Sequence, residues 1–102
     1  MEKTIQIIGK RWFDKKNGNT YHSVEVYEDN KFIGKNPFEY GYDEQYIQSA
    51  FKILQNAGIY PKTNKRLLSG LNEDYYNFQQ ERRSNRDKFL ITVSDVSRRK
   101  DL

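Results

Sequence analysis

The dipeptide Asn17-Gly18 is the feature that most constrains what this chain can fold into. Both residue types tolerate positive φ, and the stretches on either side are rich in β-branched and aromatic residues, so the pair marks a β-hairpin tip. The segment from Thr4 to Phe13 reads as the first strand. The return strand covers 20–28, with Val24 and Val26 on one face and Tyr21, Ser23, Glu25 and Tyr27 on the other. The polar tip accommodates either a two- or a four-residue loop, so the register stays open. Asp29-Asn30 makes a second turn into a short strand, Lys31 to Gly34, which completes an antiparallel meander.

After the meander the period changes from two to 3.6. Asp43 is a good N-cap, and Tyr42 before it can staple against Ile47. Ile47, Ala50, Phe51 and Leu54 then form one apolar stripe, and Gly58 and Pro61 end the helix. Residues 60–70 read as a basic connecting loop. A second helix starts at the N-cap Asn72, with Glu73 and Asp74 near its positive end and Tyr75, Phe78 and the stem of Arg82 facing the core. Residues 88–97 alternate, with Phe89, Ile91 and Val93 on one face, and form a final strand able to join the meander. The order β-β-β-α-α-β predicts an α+β fold: an antiparallel sheet with two helices packed on one face, as a single domain over 1–97 with a basic C-terminal tail at 98–102.

Composition limits what such a fold can do. A chain of 102 residues makes one domain with little room for a buried cofactor pocket. Hydrophobic residues are 35% and aromatic residues 15%, eight of them Tyr, so the core is small and ring-rich, with Tyr at its margins. With no Cys, disulfide scaffolds, thiolate zinc sites and cysteine nucleophiles are excluded. One His cannot build a multi-histidine metal site, and no two glycines have the spacing of a phosphate-cradling loop. No apolar run approaches the roughly 20 residues needed to span a bilayer. With no targeting segment recognised either, the chain is expected to be soluble and intracellular, without membrane contact.

Charge is uneven. Residues 1–51 carry 7 basic and 8 acidic side chains, while residues 52–102 carry 11 and 6. Arg82, Arg83 and Arg86 fall at the end of the second helix, and Arg98, Arg99 and Lys100 in the tail. Either group serves as a solvated terminus or as phosphate contacts for nucleic acid. Trp12, Phe13, Phe38, Tyr40, Tyr42 and Tyr46 form an aromatic set. Exposed rings beside Arg or Lys stack bases, and Arg11-Trp12 next to Lys10 suits that, while packing at the core and sheet edge is the plainer role. His22 lies across the hairpin from the region of Asp14 and could be oriented as a general base. Ser23 points to the opposite strand face, which makes a Ser-His-Asp triad geometrically poor, and a hydrogen-bonded structural histidine is the plainer reading.

The run Lys10-Arg11-Trp12-Phe13-Asp14, followed by Asn17-Gly18-Asn19-Thr20-Tyr21-His22-Ser23-Val24 and by Tyr40-Gly41-Tyr42 with Gln45-Tyr46, resembles a pattern in small uncharacterised bacteriophage proteins. The resemblance covers residues 10–57. It implies expression in the cytoplasm of a bacterial host during infection and brings no catalytic residue with it. The Lys-, Asn- and Tyr-rich composition also looks like an AT-rich phage or low-GC bacterial source.

The expectation is a small non-enzymatic accessory protein of phage type. It would bind nucleic acid, a nucleotide or another phosphate-bearing ligand through Arg11, Trp12, Arg82, Arg83, Arg86, Arg98, Arg99 and Lys100, with no cofactor and no metal. The alternative is a protein-binding inhibitor or regulator of a host defence protein, since Tyr, Trp and Arg dominate interface hot spots. A two-layer sandwich with an open face and free edge strands also lends itself to a homodimer.

Overall fold

The first three strands are β1 (Ile5–Asp14), β2 (Asn19–Glu28) and β3 (Lys31–Tyr40), an antiparallel meander in a computed structural model that describes residues 4–41 and 44–102. The first tip is a four-residue loop, which pairs Asp14 with Asn19 and Trp12 with Tyr21. Gly18 takes φ 71° and its N–H donates to the Asp14 carbonyl at 2.7 Å. The Asp14 carboxylate accepts from the Asn17 side chain at 2.8 Å, which holds its pKa below the ordinary range. Positive φ at both central residues, the mark of a type I′ turn, occurs instead at Asp29 (52°) and Asn30 (69°).

β3 runs to Tyr40 rather than stopping at Gly34. Gly34, Asn36 and Pro37 look like strand breakers, but β3 is an edge strand, where a proline is tolerated. Gly34 is there for space: a Cβ at that position would lie 2.7 Å from Cγ2 of Ile53.

Helix α1 (Gln45–Asn56) buries Tyr46, Ile47, Ala50, Phe51 and Leu54. Its N-cap position is Glu44, whose side chain makes no capping bond, and the cap and staple expected at Asp43 and Tyr42 lie outside the described residues. Gly58 stops the helix at φ 79°, and Ile59 N–H donates back to the Leu54 carbonyl at 3.0 Å. Helix α2 (Glu73–Ser84) is capped by Asn72, whose side chain accepts from Tyr75 N–H at 2.9 Å. The buried Asp74 carboxylate ties α2 to the connector by accepting from Thr63 N–H at 2.7 Å and from its hydroxyl at 2.9 Å.

Strand β4 (Phe89–Val96) completes the sheet in the order β3-β2-β1-β4. It lies parallel to β1, Ile5 beside Phe89 and Trp12 beside Val96, so the sheet is mixed and not wholly antiparallel as expected. Chain direction explains this. β3 ends at one end of the sheet, and the C-terminal ends of both α1 and α2 finish at the other, where Gly58, Ile59, Asn85 and Lys88 share a cleft with Ile5 and Glu28. From there a strand beside β1 can only run the way β1 runs.

Strand parity assigns one face to the helices: Ile5, Ile7, Gly9, Val24, Val26, Phe89 and Ile91 point toward α1 and α2. Phe78 sits at the centre, with ring centroids 4.8 Å from Phe51, 5.2 Å from Tyr60 and 5.8 Å from Phe89. Burying eleven apolar side chains in one cluster is the main source of stability. No described helix is long and apolar enough to cross a membrane.

Candidate functional site

Alternation along the strands sends the remaining side chains to a face that neither helix covers. Gln6, Ile8, Lys10 and Trp12 of β1 lie there, beside Tyr27, Glu25, Ser23 and Tyr21 of β2. The register sets Trp12 next to Tyr21, and Tyr21 next to the far end of β3. The outcome is a row of rings across three strands. Trp12 and Tyr21 stack with centroids 5.8 Å apart, Tyr21 and Phe38 stack at 4.7 Å, and Tyr40 meets Tyr21 edge-on at 5.6 Å. Trp12 and Tyr21 are half-buried, while Phe38 and Tyr40 are exposed.

A cation completes the row. Residues 98–102, expected as a trailing tail, form a short turn at Arg99–Asp101 in which Arg98 pairs with Asp101 at 3.3 Å. The Arg99 guanidinium lies 4.5 Å from the Phe38 ring centroid. Val96 is registered beside Trp12 on β1, and Arg99 reaches Phe38 on β3, so the turn brings its cation to the far ring of the row. Lys10 stands one pleat below Trp12 on the same face. Further down, Glu25 accepts from the Tyr27 hydroxyl at 2.9 Å and pairs with Lys35 at 3.4 Å. The hydroxyl first and then Lys35 hold Glu25 below its usual carboxylate range, so it stays anionic. Lys10 and Arg99 are thus the cations nearest the ring row, while the Glu25 charge is balanced by Lys35.

The other expected site residues lie elsewhere. Arg11 is next to Trp12 in sequence and for that reason points to the opposite face, so the two cannot share a stacking platform. Its Nε donates to Asp95 at 3.0 Å, and it lines a shallow cavity with Phe13, Lys15 and Thr20. Arg82, Arg83 and Arg86 do converge, lining a cleft of about 340 Å³ floored by Phe89 and Ile91 on the helix-bearing face. Arg82 is held by Gln79 at 2.8 Å and lies 4.0 Å from Glu44. This cleft and the Arg98–Lys100 turn sit at opposite ends of β4, roughly 25 Å of strand apart. The six cations thus form two patches, not one. Lys100 is exposed on the turn.

His22 is 1% exposed, and its ring lies under α1. Nδ1 is 3.2 Å from the Gly41 carbonyl, which can only accept, so Nδ1 carries a proton. Nε2 is 2.8 Å from the Ser49 hydroxyl, which donates to it in the neutral ring. Asp14 instead binds the loop at Lys16 and Asn17, so the His22–Asp14 pairing is not formed. Of the remaining rings, Phe13 is exposed on the helix-bearing side, Tyr46 is buried over Gly9, and Tyr42 lies outside the described residues. Among the described residues, no group of three or more His, Asp or Glu is arranged to hold a metal ion.

Tyr21 and Lys10 were not singled out as site residues from the sequence. The signal for Tyr21 was present: a four-residue tip fixes Asp14 opposite Asn19, and counting back two residues sets Trp12 against Tyr21. Arg99 over Phe38 had no local signal, because the contact joins segments 61 residues apart. No family model, no curated protein and no solved structure matches the chain.

Proposed function

We propose that this chain is a small non-enzymatic accessory protein that binds single-stranded nucleic acid on the uncovered face of its sheet. The observation that carries the reading is the Trp12–Tyr21–Phe38 row with the Arg99 guanidinium against its last ring and Lys10 beside its first. These rings already stack on one another, so a base is met by their outer edges and by the exposed Tyr40 ring, and each base stacked on such a ring contributes about 1–3 kcal/mol without regard to sequence. Lys10, Arg98, Arg99 and Lys100 border the same end and supply phosphate contacts whose strength falls with salt. The likeness of residues 10–57 to bacteriophage proteins supports a setting in the cytoplasm of an infected bacterium.

Trp12 is the sole tryptophan, so its emission reports on the platform itself. Titration with short single-stranded DNA and RNA at about 50 and about 200 mM salt should quench that emission, more tightly at the lower salt. Arg99→Ala should reduce the slope of log affinity against log salt by about one contact. Absence of quenching and of binding at the lower salt overturns the reading.

A second reading is favoured by the exposed rings at the rim, Tyr40 at 63% and Phe32 at 55% exposure. These suit a protein-binding regulator of a host factor. That reading expects a stoichiometric complex with one bacterial protein, abolished by Tyr40→Ala, together with weak oligonucleotide binding.

A further inference from the structure

The two edges of the sheet are built differently. β3 carries Lys31, Lys35, Pro37 and Glu39, and its pairing with β2 is broken by irregularities at His22/Val24 and Val26/Tyr27. Charges, a proline and bulges are the usual means by which an edge strand is kept from pairing with another chain. β4 has neither proline nor bulge and far less charge. Its eight residues keep one unbroken register with β1, contain no proline, and include one charge, Asp95. Among the described residues no strand pairs with its outer side, where Leu90 and Val93 are 55% and 38% exposed. The outward row of backbone N–H and C=O groups is therefore a ready template for one more strand.

We propose that the partner of this edge is a second copy of the same chain, paired through antiparallel β4 strands across a two-fold axis to give one continuous eight-stranded sheet. Charge selects this occupant. Of the two-fold axes that keep each residue on its own face, the two that pair the most of β4 pass through Thr92 or through Val93. In the first case Asp95 of the second copy comes opposite Phe89, and in the second opposite Ile91. Both residues floor the cleft lined by Arg82, Arg83 and Arg86. Asp95 lies on the same, helix-bearing face as that cleft, and its side chain is 77% exposed despite the Arg11 contact. Arg83 and Arg86 have no acidic partner among the described residues. Each copy thus offers one carboxylate and receives one, which is the self-complementarity an isologous interface requires. The arginine cleft, set apart from the ring row, acquires a role in assembly rather than in phosphate binding.

Sedimentation equilibrium of the full chain from about 10 μM to about 1 mM tests this. The expected result is a monomer–dimer equilibrium. Thr92→Lys sets a cation near the axis in both registers, twice by symmetry, and should raise the dimer dissociation constant about tenfold or more. Asp95→Arg should weaken the dimer similarly, and adding Arg83→Asp with Arg86→Asp should restore it. A chain that is monomeric over the whole range overturns the proposal, as does open-ended growth. A dimer unchanged by Thr92→Lys, with circular dichroism showing the variant folded, overturns it too. Should the charge-swapped variants not fold, Thr92→Lys decides alone. Oligonucleotide titration of the unsubstituted chain reads the ring row and not the β4 edge, so failure of one proposal leaves the other standing.

Discussion

The two faces of the sheet are made from the same strands, yet they are built to opposite rules. On the helix-bearing face the side chains interlock: a Cβ at Gly9 would fall 2.6 Å from Cδ2 of Tyr46, and the space at Gly34 is filled by Ile53. Branched aliphatics and the Phe78 ring cluster leave that face without exposed polar groups other than at its ends. On the open face rings lie next to charges, and the contacts are between neighbours across strands rather than between layers. Because parity separates the two sets residue by residue, stability and recognition can vary independently in this chain. A change at Ile5, Ile7 or Gly9 acts on the fold, and one at Lys10 or Trp12 on the binding surface.

The largest effect that tests this contrast is Phe78→Ala. The ring is fully buried among Phe51, Tyr60 and Phe89, so its removal should cost about 3–5 kcal/mol, a large part of the stability of so small a domain. Urea denaturation followed by circular dichroism measures it, and a loss under about 1 kcal/mol would contradict the assigned core. His22→Ala comes next. It strips the Gly41 carbonyl and the Ser49 hydroxyl of their partner, for a loss of about 2–3 kcal/mol, while oligonucleotide affinity of the folded protein stays unchanged.

Tyr21→Ala should behave in the reverse manner. Its stacking with Trp12 and Phe38 contributes about 1 kcal/mol to stability, whereas removing the middle ring should weaken single-strand binding about tenfold or more. Equal losses in Tyr21→Ala and Phe78→Ala would erase the distinction between the faces. The smallest effect is at alkaline pH. Burial first, and then the hydrogen bond to Glu81 at 3.0 Å, push the Tyr60 phenol above its ordinary 10.0. The fold thus prefers the neutral phenol: its contribution is complete below pH 10.0 and is lost as pH rises beyond that value. Tyr60→Phe should flatten the alkaline fall in urea midpoint, and an unchanged profile would show that another group sets it.

What could be read from the sequence followed from local rules. The faces of β2, the stripe of α1, the Gly58 stop and the Asn72 cap are each fixed by residues within a turn or two of one another. What could not be read depended on distant segments. Gly34 and Pro37 look like an ending until Ile53 and the free edge are known. The direction of β4 depends on where two helices and a long connector leave the chain. For the site, Arg11 and Trp12 were correctly placed on a strand, but adjacency in sequence means opposition across a sheet. Likewise, a count of arginines in 82–100 does not show that β4 holds the two groups apart.

The parallel union of β1 with β4 also governs how the molecule comes to exist in time. The meander closes through short turns, but the strand beside Ile5 begins only at Phe89, and the Arg11–Asp95 contact spans 84 positions. Such a long loop must be closed before any of these contacts is gained, which places the step late and makes it slow. A chain synthesised only as far as residue 88 has β1 as a bare edge and Phe78 without its Phe89 neighbour. Docking of β4 therefore comes last, and a stop before that strand leaves β1 unpaired on one side and the core without Phe89.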